Sequence, residues 1–367
     1  MMNALTEFDV GDEERLVRDS VSRMMQDTRK PIVVNGEITA PGRHAASYMN
    51  ELEALGISEL VVTDGGIDVP TVRRVAIICE EAGAHLFLGP TVESLVVPFI
   101  TASGLLPEFK VISADGLAIP AFGSSLINPF SNVQVVRESN SLHIVGKITR
   151  VPFGPMASSY VIAGQIGNSP CLLLISANAK GLIIRKEDMA DGTQRAVINL
   201  DGCSVPVSSL IAEGASAQKA LQLISDLLML GVSAQLAGIA ARVLQLGCEH
   251  ISTRTQFGRP LAAFQALQHR AANDFTAVEI SRAFLYQMCD YWDEERNRRP
   301  LLHALLAKTA QTAIDTAKSS IQMHGAMGFT AEHELGWNLK AAVALSTRYG
   351  DIAGHRRLFA EFDIAYW

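Results

Sequence analysis

No Cys-x-x-Cys pair occurs in this chain, and its five cysteines (Cys79, Cys171, Cys203, Cys248 and Cys289) are widely scattered. An odd number of thiols at such spacing argues against a disulfide framework and suits small, buried, reduced side chains. No histidine spacing matches His-Glu-x-x-His or another ligand set, so no metal centre is expected. Basic charge is short as well: 31 Lys and Arg against 38 Asp and Glu leave a net charge of −7. That balance argues against a nucleic-acid footprint, and no basic tract is present to anchor the chain on a membrane. A Gly-x-Gly-x-x-Gly is missing, which disfavours a Rossmann dinucleotide fold. The start, MMNALTEFDVGDEERL, is acidic and has neither the positive flank nor the apolar run of a signal peptide, so a cytoplasmic protein is expected. No uncharged run reaches transmembrane length. Residues 221–246 come closest, but Asp226, Gln235, Arg242 and Gln245 recur through them, the pattern of a helix buried in a bundle.

What is present is a chain of 367 residues, 48% of them apolar, enough for two or three domains with sizeable cores. Residues 12–28, 45–55, 70–84 and 92–102 carry apolar positions at helical spacing, broken by Gly56, by Asp64-Gly-Gly66 and by Gly89-Pro90. From about Gly116 the texture changes to short β-rich runs: 133–137, 142–147, 160–165, 171–176, 182–185 and 196–200. Ser139-Asn140, Gly167-Asn168 and Asp191-Gly192 separate some of them as turns, which predicts an antiparallel barrel or sandwich. Helical patterning returns at Ser216 over 221–250, 264–292, 301–324 and 331–345, with the short loops of an antiparallel bundle. The expected class is α+β: a helical domain over 1–115, an antiparallel β-barrel over 116–215 and a four-helix bundle over 216–367.

Two strings in the last third stand out. Arg254-Thr-Gln-Phe-Gly-Arg-Pro-Leu-Ala-Ala-Phe-Gln265 interrupts the helical pattern, and an arginine at such a corner can hold a phosphate bidentately. Gln322-Met-His-Gly-Ala-Met-Gly-Phe-Thr330 closes a later helix. Each has an ordinary reading, a solvated surface arginine and a glycine helix cap. Together, about 70 residues apart, they resemble the Arg-x-x-Phe-Gly-x-Pro-(x)4-Gln and Gln-x-x-Gly-Gly-x-Gly-Tyr/Phe-Thr signatures of the acyl-CoA dehydrogenase family. Softer matches are Leu52-x-x-Leu-Gly-Ile57, Gly65-Gly66, Glu80-Glu-Ala-Gly83 and Gly89-Pro90. The order of helices, β module and bundle is also the family's.

The resemblance implies FAD as cofactor and an acyl-CoA thioester as substrate. Carried over by position, Arg254 would hold the pyrophosphate, with Gln256 and Phe257 beside it and Gln265 near the ribityl or adenosine portion. Gln322, Gly325 and Ala326 would line the dinucleotide across a subunit interface, Ala326 bringing a methyl group where the family has a second glycine. The family's chemistry also needs a carboxylate to take the α-proton of the thioester. Its two usual positions fall here on Tyr349, within Thr347-Arg-Tyr-Gly-Asp351, and on Leu228, within Ser225-Asp-Leu-Leu-Met-Leu230. An ordinary phenol, with a pKa of about 10, is a poor base at neutral pH, and leucine is none. Asp351 and Asp226 are the nearby acids. The loops that cradle the flavin ring read Ala118-Ile-Pro-Ala-Phe-Gly-Ser-Ser125 and Gly146-Lys-Ile-Thr-Arg-Val-Pro-Phe-Gly154, without the family's contacts.

Three functions are compatible with this pattern. The first is the base-lacking subunit of a heteromeric FAD-dependent acyl-CoA dehydrogenase, acting with a sister chain on an acyl-CoA such as a steroid-derived one. The second is a self-sufficient dehydrogenase using Asp351 or Asp226. The third is a flavin-free, acyl-CoA-binding or structural relative. Arg296-Asn-Arg-Arg299 is expected as an exposed turn, and Glu332-His-Glu334 as charge at a helix start.

Overall fold

Small residues decide how the longest helix meets its neighbours. The computed structural model describes residues 11–28, 32–34, 37–61, 67–106, 117–122, 132–293 and 295–362. Before the sheet lie α1 (Asp12–Thr28), α2 (Ala45–Ala54), α3 (Ile57–Val61), α4 (Val69–Ala84) and α5 (Thr91–Ala102). After it come α6 (Ala215–Thr253), α7 (Gln265–Asp290), α8 (Glu295–His324), α9 (Glu334–Ser346) and α10 (Ile352–Glu361). Helix α6 is apolar and long enough to cross a membrane, yet 94% of its most apolar window is buried inside the protein. It packs on α4, α5 and α8. At the α4 crossing, a Cβ on Gly83 would lie 1.9 Å from the Gln235 carbonyl oxygen, and one on Gly238 would lie 1.9 Å from that of Glu80. The two backbones are therefore in direct contact, which only glycine permits.

A buried charge cluster fastens the same crossing. Glu80 accepts from Arg282 Nε at 2.7 Å, from Arg18 Nη2 at 2.7 Å and from the Tyr286 hydroxyl at 2.5 Å, joining α1, α4 and α7. Burial alone would push this carboxyl up. Arg18 and Arg282 outweigh it and, with Tyr286, hold the pKa at about 2 against an ordinary 4.5.

Nine strands form the middle sheet, in the order β11-β7-β6-β4-β5-β9-β8, with β10 on β5 and β3 on β6. Their spans are β3 (Ala118–Pro120), β4 (Val133–Arg137), β5 (Ser141–Pro152), β6 (Ser159–Ile166), β7 (Ser169–Ser176), β8 (Ile183–Asp188), β9 (Gln194–Asn199), β10 (Cys203–Pro206) and β11 (Leu210–Glu213). A small ribbon of β1 (Val33–Val34) and β2 (Glu37–Ile38) stands apart. The expected antiparallel barrel needs correcting on two points. Among the described residues no ladder joins β8 to β11, and β6 runs parallel to both β3 and β4. Strand β5 is the reason. Its first half pairs with β4 and β10, its second half with β9, and a register shift between Ile148 and Val151 bends it. Arg150, at φ 60°, lies in that bend, so one strand serves two directions of sheet instead of closing a cylinder.

The C-terminal helices gather about α8, which touches α6, α7, α9 and α10. The last of these, α10, has no counterpart in the sequence reading. Arg298 and Arg299 lie in α8 and not in an exposed turn: their Nε atoms hold Asp226 at 2.9 and 2.8 Å. The acids after Ala331 do mark a helix start, for Glu334 opens α9 and pairs with Arg242 at 2.8 Å.

Glu80→Gln should lower stability by about 3–5 kcal/mol, because it removes the carboxylate that Arg18 and Arg282 share at a buried site. The pH dependence has a defined sign. The folded carboxyl is held below its unfolded value, so its stabilisation is complete above about 4.5 and is lost as pH falls through about 2. Urea unfolding across that range should show the acid-side loss in the natural protein and a shallower one in the variant. In the same assay Gly238→Ala should cost about 1–3 kcal/mol by forcing the crossing apart.

Candidate dinucleotide corner and the sealed cleft

The two signature strings meet because helices α6 and α8 end side by side. A Cβ on Gly247 would lie 2.7 Å from Ser320 Oγ, and that hydroxyl donates to the Val243 carbonyl at 2.5 Å. One turn further on, the His250 and His324 rings stack with centroids 4.0 Å apart. His333, the N-cap of α9, meets His324 edge-on at 4.9 Å. Arg254 follows His250 by one turn, and Gln322 precedes His324, so both strings open at one corner.

The first string is a hairpin and not a simple break between helices. Helix α6 stops at Thr253, and Arg254 turns to an extended conformation. Thr255–Gln256 (β12) then pairs with Arg259–Pro260 (β13). Phe257 and Gly258 form its tip with φ 54° and 77°, positive at both central residues as in type I′ turns. A positive φ is uncommon for phenylalanine, and Phe257 is also 89% exposed. Its ring meets Phe264 edge-on at 6.1 Å, and the Arg259 guanidinium lies 4.0 Å over Phe264, bracing the hairpin. Backbone strain combined with an exposed aromatic is what a contact surface looks like.

Arg254, Gln256, Gln265, Gln322, Gly325 and Ala326 are all exposed, and no carboxylate among the described residues pairs with the Arg254 guanidinium. Gly325 takes φ 65°, which lets the chain leave α8, and a Cβ there would meet nothing within 4 Å. Ala326 needs no such conformation, so the backbone here tolerates its methyl group.

The other end of the expected site is different. Tyr349 is 2% exposed, and its hydroxyl donates to Glu93 Oε1 at 2.9 Å. Glu93, on α5, is fully buried and also accepts from Arg348 Nη1 at 3.1 Å. Its second oxygen has no hydrogen-bond partner among the described residues. Burial first, and then the Glu93 carboxylate, push the Tyr349 phenol well above its ordinary pKa of 10. Leu228 is fully buried in the core. Asp351 is exposed and caps α10, accepting from Gly354 N at 2.6 Å. Asp226 is buried between its two arginines; burial pushes its carboxyl up against their pull.

One of the loops that the family resemblance assigns to the flavin ring faces the stretch of the expected base across a cleft. Arg150, Pro152 and Phe153 of the β module oppose Thr347 and Arg348, with about 30 Å³ of space between them. The Arg348 guanidinium lies 5.1 Å over the Phe153 ring and helps to fill it. Of the other expected ring loop, Ala118 to Phe122 are buried or nearly so, and 123–125 lie outside the described residues. Sequence reasoning missed Glu93 altogether, since a lone acid in the first turn of a helix reads as a dipole partner.

Comparison with known proteins agrees with this architecture. The family profile described as acyl-CoA dehydrogenase, C-terminal domain, matches residues 229–362. Acyl-CoA dehydrogenase IpdE2 of Mycobacterium tuberculosis is 34% identical over 120 residues. Over these stretches the chain is similar to the acyl-CoA dehydrogenase family. The stretch shared with IpdE2 is 32% of this chain and about a third of that relative, 36% of its length. The fold extends much further. The ChsE4–ChsE5 complex of M. tuberculosis matches 97% of this chain and 98% of its own with a TM-score of 0.79 at 18% identity. The Tcur3481–Tcur3483 steroid ACAD matches 96% and 98% with a TM-score of 0.78 at 17% identity.

Tyr349→Phe should destabilise the chain by about 1–3 kcal/mol, because it removes the phenol's hydrogen bond to a buried carboxylate. Thermal melts of the two proteins side by side check this, with the larger loss expected for Arg348→Ala, which leaves Glu93 without its cation.

Proposed function

We propose that this chain is the subunit of a heteromeric, FAD-dependent acyl-CoA dehydrogenase that holds the adenosine-phosphate end of the cofactor and leaves proton abstraction to a sister chain. The observation that carries the reading is the contrast between the two ends of the site. One corner offers an uncommitted arginine, exposed amides and open backbone. At the other end the family's base position is filled by a buried phenol already donating to Glu93, beside a cleft of about 30 Å³. Small-molecule pockets take hundreds of cubic ångströms, roughly 300–1,000. The residues present therefore suit the phosphate-bearing half of FAD and not, within this chain alone, its ring.

When bound, FAD would supply the hydride acceptor for α,β-dehydrogenation of an acyl-CoA. The Arg254 fork would take the pyrophosphate bidentately, which neither lysine nor a neutral donor does as well. Gln256, Phe257 and Gln265 would flank it from the hairpin and α7, and Gln322, Gly325 and Ala326 from the end of α8. Neither of the family's two base positions offers the α-proton an acceptor here. Tyr349 keeps its proton because its phenol pKa is raised, and Leu228 cannot serve. Similarity to two-chain assemblies, one of them described as a steroid ACAD, supports a sister subunit and a bulky, steroid-derived acyl group.

The self-sufficient alternative is weaker. Asp351 is engaged as a helix cap, and Asp226 is locked between Arg298 and Arg299. The flavin-free alternative leaves the strained, exposed hairpin and the unpaired Arg254 without a purpose.

The full chain purified alone should be colourless and should not oxidise acyl-CoA with an artificial acceptor. Co-expression with a neighbouring family chain that carries glutamate at either base position should yield a complex that absorbs as a flavoprotein and turns over. Arg254→Ala in that complex should reduce retained FAD by about tenfold or more, since a charge-assisted contact contributes about 1.5–3 kcal/mol. Turnover by the single chain would remove the division of labour, and absence of flavin under both conditions would leave only the flavin-free reading.

A further inference from the structure

The dinucleotide corner carries a charge problem that its arginine does not solve. A pyrophosphate diester brings about two negative charges, and helices α6 and α8 both point their C-terminal ends toward this corner. Helix C-termini present partial negative charge and repel anions. Arg254 supplies one positive charge. Arg242 is paired with Glu334 at 2.8 Å; Arg259 keeps its charge but lies against the Phe264 ring on the second strand of the hairpin. The acids at this end of the helices are Glu249, which accepts from Gln245 at 2.8 Å, then Glu332 and Glu334, and Asp274 of α7, which accepts from Ser319 at 2.5 Å. The titratable groups in ring contact with one another at this corner are His250, His324 and His333. His250 and His324 are the basic residues in the last turns of their helices, where a positive charge is favoured.

Their hydrogen bonds divide the roles. His324 Nδ1 faces the Ser320 carbonyl at 2.8 Å; a carbonyl only accepts, so Nδ1 carries the hydrogen and Nε2 keeps its lone pair. His333 Nδ1 accepts from Leu335 N at 3.2 Å, so protonating it there would remove the cap of α9. The stack of His250 on His324 is thus the place where a proton can be added without breaking a bond. In the free protein His250 is held below its ordinary 6.5, first by burial and then by His324, Arg254 and His333. The stack is not arranged as a metal site, for no such group of three occurs among the described residues.

We propose that His250 and His324 belong to the phosphate grip: a pyrophosphate diester held by Arg254 draws one proton onto their stack, and the resulting imidazolium supplies the second positive charge. The inference rests on the dinucleotide reading above. ADP-ribose is a suitable probe, since it carries the diester without a terminal phosphate that titrates near neutrality. It should be titrated at about millimolar concentration into the full chain by calorimetry, in buffers of different ionisation heat. Near neutral pH, binding should take up close to one proton, and affinity should rise by up to about tenfold per pH unit from about pH 8 to about pH 6. His250→Gln and His324→Gln should each bind with little pH dependence and no proton uptake. His333→Asn, which keeps a capping side chain, should retain both. Binding that is lost in Arg254→Ala but proceeds without proton uptake in the natural chain would overturn the histidine role alone. Uptake that survives in both glutamine variants would do the same. No binding at any pH would overturn the dinucleotide reading and this inference together.

Discussion

The contact on which the rest of the molecule depends is the crossing of α4 over α6, where backbone meets backbone at Gly83 and Gly238. Two helices this close cannot slide or rotate without driving a Cβ into a carbonyl, so the crossing fixes the N-terminal helices on the bundle in one register. Glu80 reinforces it from within. A carboxylate held by two arginines and a tyrosine adds little net stability over an apolar core, because desolvation takes back most of the Coulombic gain. It does penalise every arrangement in which the charges fail to meet, and its partners come from α1 and α7, helices other than its own. With α4 set, α5 and its Glu93 are set. With α6 set, so are the helix end that bears His250 and the hairpin that bears Arg254.

That frame delivers opposite outcomes at its two ends. At the α6–α8 corner, Gly247 and Ser320 bring the helix ends together, and Arg254, Gln256 and Gln322 beyond them face solvent. Native proteins seldom leave a strained hairpin, an exposed phenylalanine and an unpaired arginine side by side unless something covers them. At the cleft the polar groups are paired off instead: phenol to carboxylate, guanidinium to the same carboxylate and over a ring. Exposed, uncommitted groups are available to a ligand, and groups already satisfied in the interior are not.

Much of this was legible in the sequence because it is written in local chemistry. Periodicity placed α1, α4 and α5 to within a residue or so, since one wet face and one dry face leave an unambiguous pattern. Strand β4 fell on its expected residues for the same reason. The barrel was not legible, because whether β5 closes a cylinder or bends between two directions depends on a register shift at Arg150, a feature without a sequence signature. The string 254–260 read as a break between helices, yet it is a hairpin whose tip forces Phe257 to positive φ. A phenylalanine there is too rare for any pattern to suggest it. Asp226 looked available in sequence and is buried between Arg298 and Arg299, more than seventy residues along the chain. Glu93 was invisible for the converse reason: its meaning comes entirely from Tyr349 and Arg348, over 250 residues away.

The Glu93 contact also ties the residue at 349 to its surroundings. A buried carboxylate needs a cation and a hydrogen-bond donor, and Arg348 and Tyr349 provide one of each. Tyr349→Glu would restore the family's residue type but would set a second carboxyl where the phenol now donates, about 3 Å from Glu93. Two acids at that distance in a dry site do not both ionise; one keeps the proton, and its pKa rises steeply. Arg348 can neutralise only one of them. The cleft beside Phe153 would still be filled by the same guanidinium. Recovering a proton acceptor here therefore requires Glu93 to be neutralised and the cleft to be opened along with the change at 349. The buried phenol is thus one part of an interior arranged around Glu93.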